Sequence, residues 1–121
     1  MALSEEAVKL HAQGFNCAQC VLLMSGKYTG LEEDTAKNIA AGFGGGLRSG
    51  EICGAISGAV MALGLLEEDK KSIAVLARNC VDAFREQFGC VRCAELKPAV
   101  SCDELISFGA AHVENYAKNK E

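Results

Sequence analysis

Residues 52–66 are the longest apolar stretch of the sequence without a charged side chain. The stretch has 15 residues, and as an α-helix it would present apolar side chains on every side. A helix that crosses a membrane needs about 20 such residues. The stretch therefore predicts a short helix that is buried at the centre of a bundle and does not span a membrane.

The spacing of apolar residues elsewhere predicts more helices and no strand. The five predicted helices cover about residues 4–24, 32–41, 51–66, 67–88 and 101–118. The glycine-rich residues 42–50 form a loop, and so do residues 90–100, which hold the only proline. We therefore expect an all-α fold, a single-domain bundle of about five helices over residues 1–121 with the apolar helix in its centre.

The charge balance excludes one large class of function. The chain has 12 basic and 16 acidic residues and a net charge of −4, which is not the basic surface of a nucleic-acid-binding protein. Its first residues contain neither a basic segment nor an apolar segment, so no secretory signal is predicted. We expect a cytoplasmic protein that does not bind nucleic acid.

Cysteine is the residue type that points to chemistry. Seven of the 121 residues are cysteine, an odd number that suits a reducing compartment. Cysteines in such a compartment are catalytic, redox-active, metal-binding or simply buried. Cys80 lies on the apolar face of the predicted fourth helix, so we interpret it as a core residue.

Cys53 is the most informative of these residues. It falls in the first turn of the apolar helix, and Arg48 comes shortly before it. The positive end of a helix and a nearby guanidinium both favour a thiolate, so we predict a lowered pKa and a nucleophilic role for Cys53. A small buried residue that packs beside Gly54 is the alternative. Cys102 begins the last helix in a similar way, and Cys93 lies in the preceding loop beside Arg92.

Two CxxC pairs, Cys17 with Cys20 and Cys90 with Cys93, raise the alternative of a zinc or iron–sulfur site. The context weakens this interpretation, because Cys17 and Cys20 fall within the predicted first helix and the two pairs are far apart in sequence.

The histidines, His11 and His112, have no carboxylate or second histidine at ligand spacing, so both are expected at the helix surface or boundary.

Several segments together are similar to a known family. They are Asn16-Cys17-Ala18-Gln19, GFGGGLRSGEICGAISGA over residues 42–59, Phe88-Gly89 with Cys93, and Cys102 followed by Leu105-Ile106. Over residues 14–109 the chain resembles the C-GCAxxG-C-C family, which is named for its cysteines and described as redox-active. The four cysteines of that pattern correspond to Cys17, Cys53, Cys93 and Cys102.

The resemblance implies redox chemistry at these four residues, with Cys20, Cys80 and Cys90 as additional thiols. Family members are often encoded near transport genes, so a transporter or a protein redox partner is implied. Four cysteines allow three disulfide pairings. The sequence does not choose among them, but the short loop favours Cys93 with Cys102, and Cys17 is expected to pair with Cys53 across two packed helices.

Three hypotheses follow. The chain is a thiol–disulfide redox protein, which includes thiol–disulfide oxidoreductase activity; or it binds zinc or an iron–sulfur cluster through Cys17, Cys53, Cys93 and Cys102; or it is a non-catalytic helical module that binds a protein partner. No acid–base pair or cofactor fingerprint assigns an enzyme class. The first two hypotheses require the four sulfur atoms to gather in one place.

Overall fold

The computed structural model describes residues 2–120, and these residues are helical with no β-strand among them. The helices are α1 Leu3–Ala12, α2 Cys17–Thr29, α3 Glu33–Ala40, α4 Gly54–Leu66, α5 Ile73–Phe88, α6 Cys93–Leu96 and α7 Cys102–Lys120, and a five-residue π-type turn covers Gly46–Gly50. The all-α fold class is confirmed. The number of about five helices was wrong, because the described residues form eight helical segments.

The predicted first helix is two helices. Gly14 has a φ of +104°, which favours glycine and interrupts the helix between α1 and α2. Asn16 then caps α2: its side chain accepts a hydrogen bond from the Gln19 N–H, and the Gln19 side chain accepts one from the Asn16 N–H. Cys17 is therefore the first residue of a helix. The prediction that it lies in the middle of one was wrong.

Two other helix starts differ from the prediction. The apolar helix, expected from residue 51, begins at Gly54, because the residues before it pair with another segment: Ile52 forms an isolated antiparallel bridge with Arg92. The fourth predicted helix, expected from residue 67, begins at Ile73 as α5. Asp69 holds the intervening turn, since its carboxylate accepts hydrogen bonds from the Lys71 N–H and the Ser72 hydroxyl.

The apolar helix α4 is the centre of the bundle, as predicted, and it packs against α2, α5 and α7. Small residues bring the backbones close together. A Cβ added at Gly58 would lie 2.8 Å from the carbonyl oxygen of Ala18 in α2. A Cβ added at Gly109 of α7 would lie 3.1 Å from the carbonyl oxygen of Ala55 in α4. Close packing of α4 with α2 and α7 is what positions the first residues of all three helices.

Aromatic rings fill the core between α5 and α7. Phe108 makes edge-to-face contacts with Phe84 and Phe88, with ring centroids 4.8 Å and 5.3 Å apart. Cys80 is fully buried in the same hydrophobic core, as predicted. Among residues 2–120, no helix has the length and apolar character that crossing a membrane requires.

Candidate functional site

A cavity of about 200 Å³ lies where α2, α4, α6 and α7 begin. Its wall contains Cys17, Cys53, Cys93 and Cys102, which the chain separates by up to 85 residues (102 − 17). Cys20, Cys80 and Cys90 are not part of this wall. The structure therefore brings together the four cysteines named from the family pattern and leaves the three additional ones elsewhere.

Each of the four cysteines stands at the start of a helix. Cys17, Cys93 and Cys102 are the first residues of α2, α6 and α7, and Cys53 is the N-cap of α4. Ser101 caps α7, since its hydroxyl accepts a hydrogen bond from the Glu104 N–H at 3.2 Å. The four thiols therefore lie at helix N-termini that meet at the cavity.

The bridge between Ile52 and Arg92 sets the relation of Cys53 to Cys93. The Cys53 N–H donates to the carbonyl oxygen of Val91 at 2.9 Å, and the Cys93 N–H donates to that of Glu51 at 2.6 Å. Alternate side chains of extended segments point to the same side, so Cys53 and Cys93 share one side of this pairing, on which both line the cavity.

The Cys17 and Cys102 thiols are close enough for Cys102 to raise the pKa of Cys17, and Cys53 is also close enough to act electrostatically on both. All seven cysteines are free thiols in this structure. Cys102 thus lies beside Cys17, whereas loop length had favoured Cys102 with Cys93. Both arrangements draw on the same four sulfur atoms.

Burial governs the acidity of these thiols. It raises the pKa of Cys17 above the ordinary cysteine value, and the neighbouring Cys102 and Cys53 sulfurs raise it further. Burial also raises the pKa of Cys53, although the backbone N–H groups of Ala55 and Ile56 act in the opposite direction. The predicted lowering for Cys53 was wrong, because desolvation of a residue that is only 3% exposed outweighs the helix N-terminus.

The cysteines outside the cavity are of two kinds. Burial raises the pKa of Cys20 and of Cys80 to about 12, and the Asp103 carboxylate contributes at Cys20. The Cys20 thiol also donates a hydrogen bond to the carbonyl oxygen of Phe15 at 3.6 Å. Cys90 is half-buried, like Cys93 and Cys102, but lies away from the cavity. It offers a reference thiol of similar exposure.

His11 is a residue of the site that sequence reasoning missed. It lines the cavity, and its Nδ1 lies 2.7 Å from Oδ1 of Asp103. The expectation that His11 lies at the helix surface or boundary is confirmed, because its side chain is 35% exposed. Its carboxylate partner comes from the packing of α1 against α7, which joins residues that are 92 positions apart. No local spacing could have indicated this pair. His112 does not line the cavity, and burial lowers its pKa.

The glycine-rich loop forms one edge of the cavity through Gly44, Gly45 and Arg48. Residues 45–48 all have left-handed backbone angles, with φ of +62°, +62°, +61° and +58°. Two of them, Leu47 and Arg48, are not glycine, and such a conformation costs about 1–2 kcal/mol for each. This left-handed turn, residues 45–48, holds Arg48 at the cavity edge and exposes Leu47 on the other side.

The metal alternative is tested by geometry. Within residues 2–120, no three His, Cys, Asp or Glu side chains are arranged so that they could hold a metal ion. The zinc or iron–sulfur hypothesis for Cys17, Cys53, Cys93 and Cys102 therefore gains no support from this arrangement. The cavity is a cluster of thiols with one histidine and two cationic side chains, Arg48 and Lys97.

Residues 15–117 match the family described as "Putative redox-active protein (C_GCAxxG_C_C)". The chain belongs to this family. It is also 37% identical over 89 residues to digeranylgeranylglycerophospholipid reductase 1 of Methanopyrus kandleri. That similarity covers 70% of this chain but only 23% of the reductase, so the chain spans about a quarter of that relative's length. No solved structure matches the chain significantly.

Proposed function

We propose that the chain is a thiol–disulfide redox protein in which Cys17, Cys53, Cys93 and Cys102 exchange two electrons with a disulfide substrate. The single observation that supports this most strongly is the meeting of these four thiols in one cavity, although they come from four different helix starts. Membership of a family described as redox-active supports the same class of chemistry. Disulfide exchange requires two thiols within reach of each other and of the substrate.

The proposed reaction is a pair of sulfur displacements. A protein thiol loses its proton and attacks one sulfur of the disulfide RS–SR, which breaks the S–S bond and releases RS⁻. The RS⁻ takes up a proton. A second protein thiol then displaces the remaining RS group from the mixed disulfide. Two protein thiols and RS–SR thus become a protein disulfide and two RSH, and the substrate gains two electrons.

Exposure suggests the order of the cysteines. Cys17, Cys93 and Cys102 are half-buried, whereas Cys53 is only 3% exposed. A substrate disulfide therefore reaches one of the first three before it reaches Cys53. We assign the first attack to this half-buried group and the second displacement to Cys53, which revises the nucleophilic role that its sequence position suggested.

His11 supplies the base that buried thiols require. Because burial raises the pKa of Cys17 and Cys53, these residues are protonated at neutral pH and must lose a proton as they react. Imidazole is the side chain that exchanges protons most readily near neutral pH. With Nδ1 donating to Asp103, the Nε2 atom of His11 carries the free electron pair. We therefore propose His11 as the proton acceptor and Asp103 as its positioning residue.

The protein disulfide must be reduced again for a second cycle. A dithiol of another protein is the chemical class of reductant that fits, since it returns two electrons by the same exchange. An odd number of free thiols suits a reducing compartment, so we propose the cytoplasm as the location. The relative that is named as a reductase contains a similar unit, which is consistent with a carrier that passes electrons within a larger system.

Thiol counting tests the proposed function. The reduced protein is treated with one equivalent of hydroxyethyl disulfide, quenched with acid, and titrated with Ellman's reagent after unfolding. We expect five free thiols in place of seven, and peptide mass spectrometry should place the new disulfide among Cys17, Cys53, Cys93 and Cys102. Cys102→Ser should slow the loss, whereas Cys90→Ser, a change of the same kind outside the cavity, should not. Seven thiols after treatment would contradict the proposal.

Removal of the imidazole tests the base. His11→Gln should slow the reaction with hydroxyethyl disulfide at pH 7 by about a hundredfold, the lower end of the range of general base effects. The variant should regain much of the rate at pH 9, where thiols ionise more readily without help. His112→Gln is the matched control and should react as the unmodified chain does. An equal rate in His11→Gln and His112→Gln would remove His11 from the mechanism.

A further inference from the structure

The side chains that line the cavity carry the opposite net charge to the chain as a whole, although the Asp103 carboxylate lies close by, 2.7 Å from Nδ1 of His11. The protein carries a net charge of −4. The cavity wall nevertheless contains Arg48 and Lys97, and no Asp or Glu lines it among the described residues. The chain has more acidic than basic residues, so this local excess of positive charge requires an explanation.

These two cations are not used to hold the fold together. The ion pairs of residues 2–120 involve His11, Arg85, Arg92 and Lys118 as the basic partners. Arg48 and Lys97 take part in none of them. The contrast with Arg92 is informative, since it lies beside Cys93 and is bound to Glu51 at 3.2 Å. The cations at the cavity keep their charge available to a molecule inside it.

The backbone conformation at Arg48 also indicates that its charge is available to a molecule in the cavity. Arg48 lies in the left-handed turn with a φ of +58°, a conformation that side-chain-bearing residues rarely adopt. A glycine there would avoid the strain, as the glycines at positions 45 and 46 do. Strained backbone of this kind concentrates at binding and catalytic sites. Here it holds a guanidinium at the edge of a cavity whose walls contain four thiols.

We propose that the substrate of this cavity is a small anion, namely a low-molecular-weight disulfide that carries carboxylate groups. This proposal rests on the proposed thiol–disulfide function and names its substrate class. Arg48 and Lys97 bind the carboxylates, and the starts of α2, α4 and α7 add positive potential from their backbone N–H groups. The carboxylates stay ionised throughout, so the exchange converts the disulfide into two anionic thiols and the protein dithiol into a disulfide.

The size of the cavity limits the substrate. A volume of about 200 Å³ is below the roughly 300–1,000 Å³ of pockets that hold drug-sized ligands. One half of a small disulfide fits such a space, whereas a folded protein partner would have to present a single exposed cysteine. The unpaired cations favour the small anionic molecule, because they lie at the cavity itself.

Alkylation rates test the anion preference separately from disulfide chemistry. Iodoacetate and iodoacetamide attack the same thiolate and differ in charge, so the ratio of their rates cancels the ionised fraction of the thiol. At each cysteine, the iodoacetate-to-iodoacetamide rate ratio is divided by the same ratio for mercaptoethanol. We expect this normalised ratio at Cys93 and Cys102 to be about tenfold above the normalised ratio at Cys90 at low salt. It should fall as the salt concentration rises. Equal normalised ratios at Cys90, Cys93 and Cys102 would overturn the substrate proposal.

Charge removal provides the matched comparison. Arg48→Met should lower the normalised iodoacetate preference at Cys93 and Cys102 several-fold, and Lys97→Met should do the same. Arg78→Met makes the same change of side chain at an exposed arginine away from the cavity and should leave the ratio unchanged. An equal loss in Arg48→Met and Arg78→Met would assign the effect to net charge and overturn the specific site.

Disulfide substrates complete the test. Dithiodiglycolate, hydroxyethyl disulfide and cystamine carry negative, no and positive charge, and each rate of protein thiol loss is divided by its rate with mercaptoethanol. We expect dithiodiglycolate to be fastest and cystamine slowest. Equal normalised rates would overturn the anionic substrate and leave the thiol–disulfide function standing. Thiols that alkylate with the anion preference but react with none of the three disulfides would contradict the proposed function instead.

Discussion

Cysteine occurs both at the cavity and in the aromatic core, and the two regions treat it differently. At the cavity, Cys93 and Cys102 are half-buried beside cationic side chains and helix N-termini. In the core, Cys80 is 0% exposed and lies one turn before Phe84, and its pKa is raised to about 12. Under the proposed function the same side chain is a reactive group at the cavity, whereas in the core it is a small apolar residue, because its surroundings decide which form it takes.

Labelling kinetics should show the largest difference between the regions. We expect iodoacetamide at pH 8 to modify Cys93 and Cys102 in the folded protein, while Cys80 reacts only when the protein unfolds. Since global unfolding costs at least about 5 kcal/mol in typical domains, Cys80 should react at least about a thousandfold more slowly. Peptide mass spectrometry follows each residue. In guanidinium chloride the three rates should converge, and similar rates in the native protein would abolish the distinction.

The left-handed turn should be the most sensitive backbone element at the cavity. Gly45 and Gly46 have the same φ of +62°, but a Cβ at Gly46 would lie 2.6 Å from the Glu51 nitrogen, and one at Gly45 would meet nothing within 4 Å. We expect Gly46→Ala to lower the free energy of unfolding by about 3 kcal/mol and Gly45→Ala by about 1 kcal/mol. Urea denaturation measures both. Equal losses would mean that backbone angle alone matters.

The central helix offers a second matched pair, away from the cavity. A Cβ at Gly58 would approach the Ala18 backbone of α2 at 2.8 Å, whereas Gly64 of the same helix has nothing within 4 Å. Gly58→Ala should destabilise the protein by about 2 kcal/mol through overpacking. Gly64→Ala should stabilise it by about 0.5 kcal/mol through helix propensity. Thermal and urea unfolding test the pair, and a neutral Gly58→Ala would show that α2 and α4 separate easily.

The Cys80 thiol in the core should make a small contribution to the pH dependence of the free energy of unfolding. The Cys80 pKa is about 12 in the folded protein and about 8.5 in an unfolded chain. Below pH 8.5 the Cys80 thiol is protonated in both the folded and the unfolded state, so its full contribution to the free energy of unfolding is present. Between pH 8.5 and 12 only the unfolded state loses its proton, so stability falls as pH rises, by about 1 kcal/mol per pH unit for this thiol.

The Cys80→Ala variant isolates this contribution of the thiol. The variant should lose less stability than the unmodified chain when the pH is raised from 8.5 to 9.5, whatever its stability at pH 7. Other titrating groups contribute equally to both proteins and cancel in the difference. Parallel curves for the two proteins would show that the thiol is not protected by burial.

Much of the fold was predictable from local signals. The uncharged residues 52–66 indicated the central helix, since such a surface must be buried. The predicted start of the last helix at residue 101 and the predicted end of the fourth helix at residue 88 lie within one residue of the observed start of α7 and end of α5. The break at Gly14 was missed because an apolar periodicity continued across it, although Asn16 and Gln19 carried a capping-box signal.

The candidate site residues differed in whether the sequence alone could identify them. Cys17, Cys53, Cys93 and Cys102 were identified by the family pattern. The caps at Asn16 and Ser101 account for the helix-start positions of Cys17 and Cys102. His11 was not identifiable, because its partner Asp103 is 92 residues away and only the packing of α1 on α7 joins them. The acidity of Cys53 was also mispredicted, since burial is a property of the folded chain.

The order of residues alone determined that this chain is helical, where its most apolar helix lies, and which four thiols carry the family pattern. Only the folded arrangement decided that those thiols share a cavity, that Arg48 and Lys97 face it with no acidic partner among residues 2–120, and that desolvation outweighs the helix N-terminus at Cys53. The physical reason is the distance along the chain over which each kind of interaction acts. Helix formation and capping act over a few residues, whereas burial and charge neighbourhoods are set by segments that are distant in sequence.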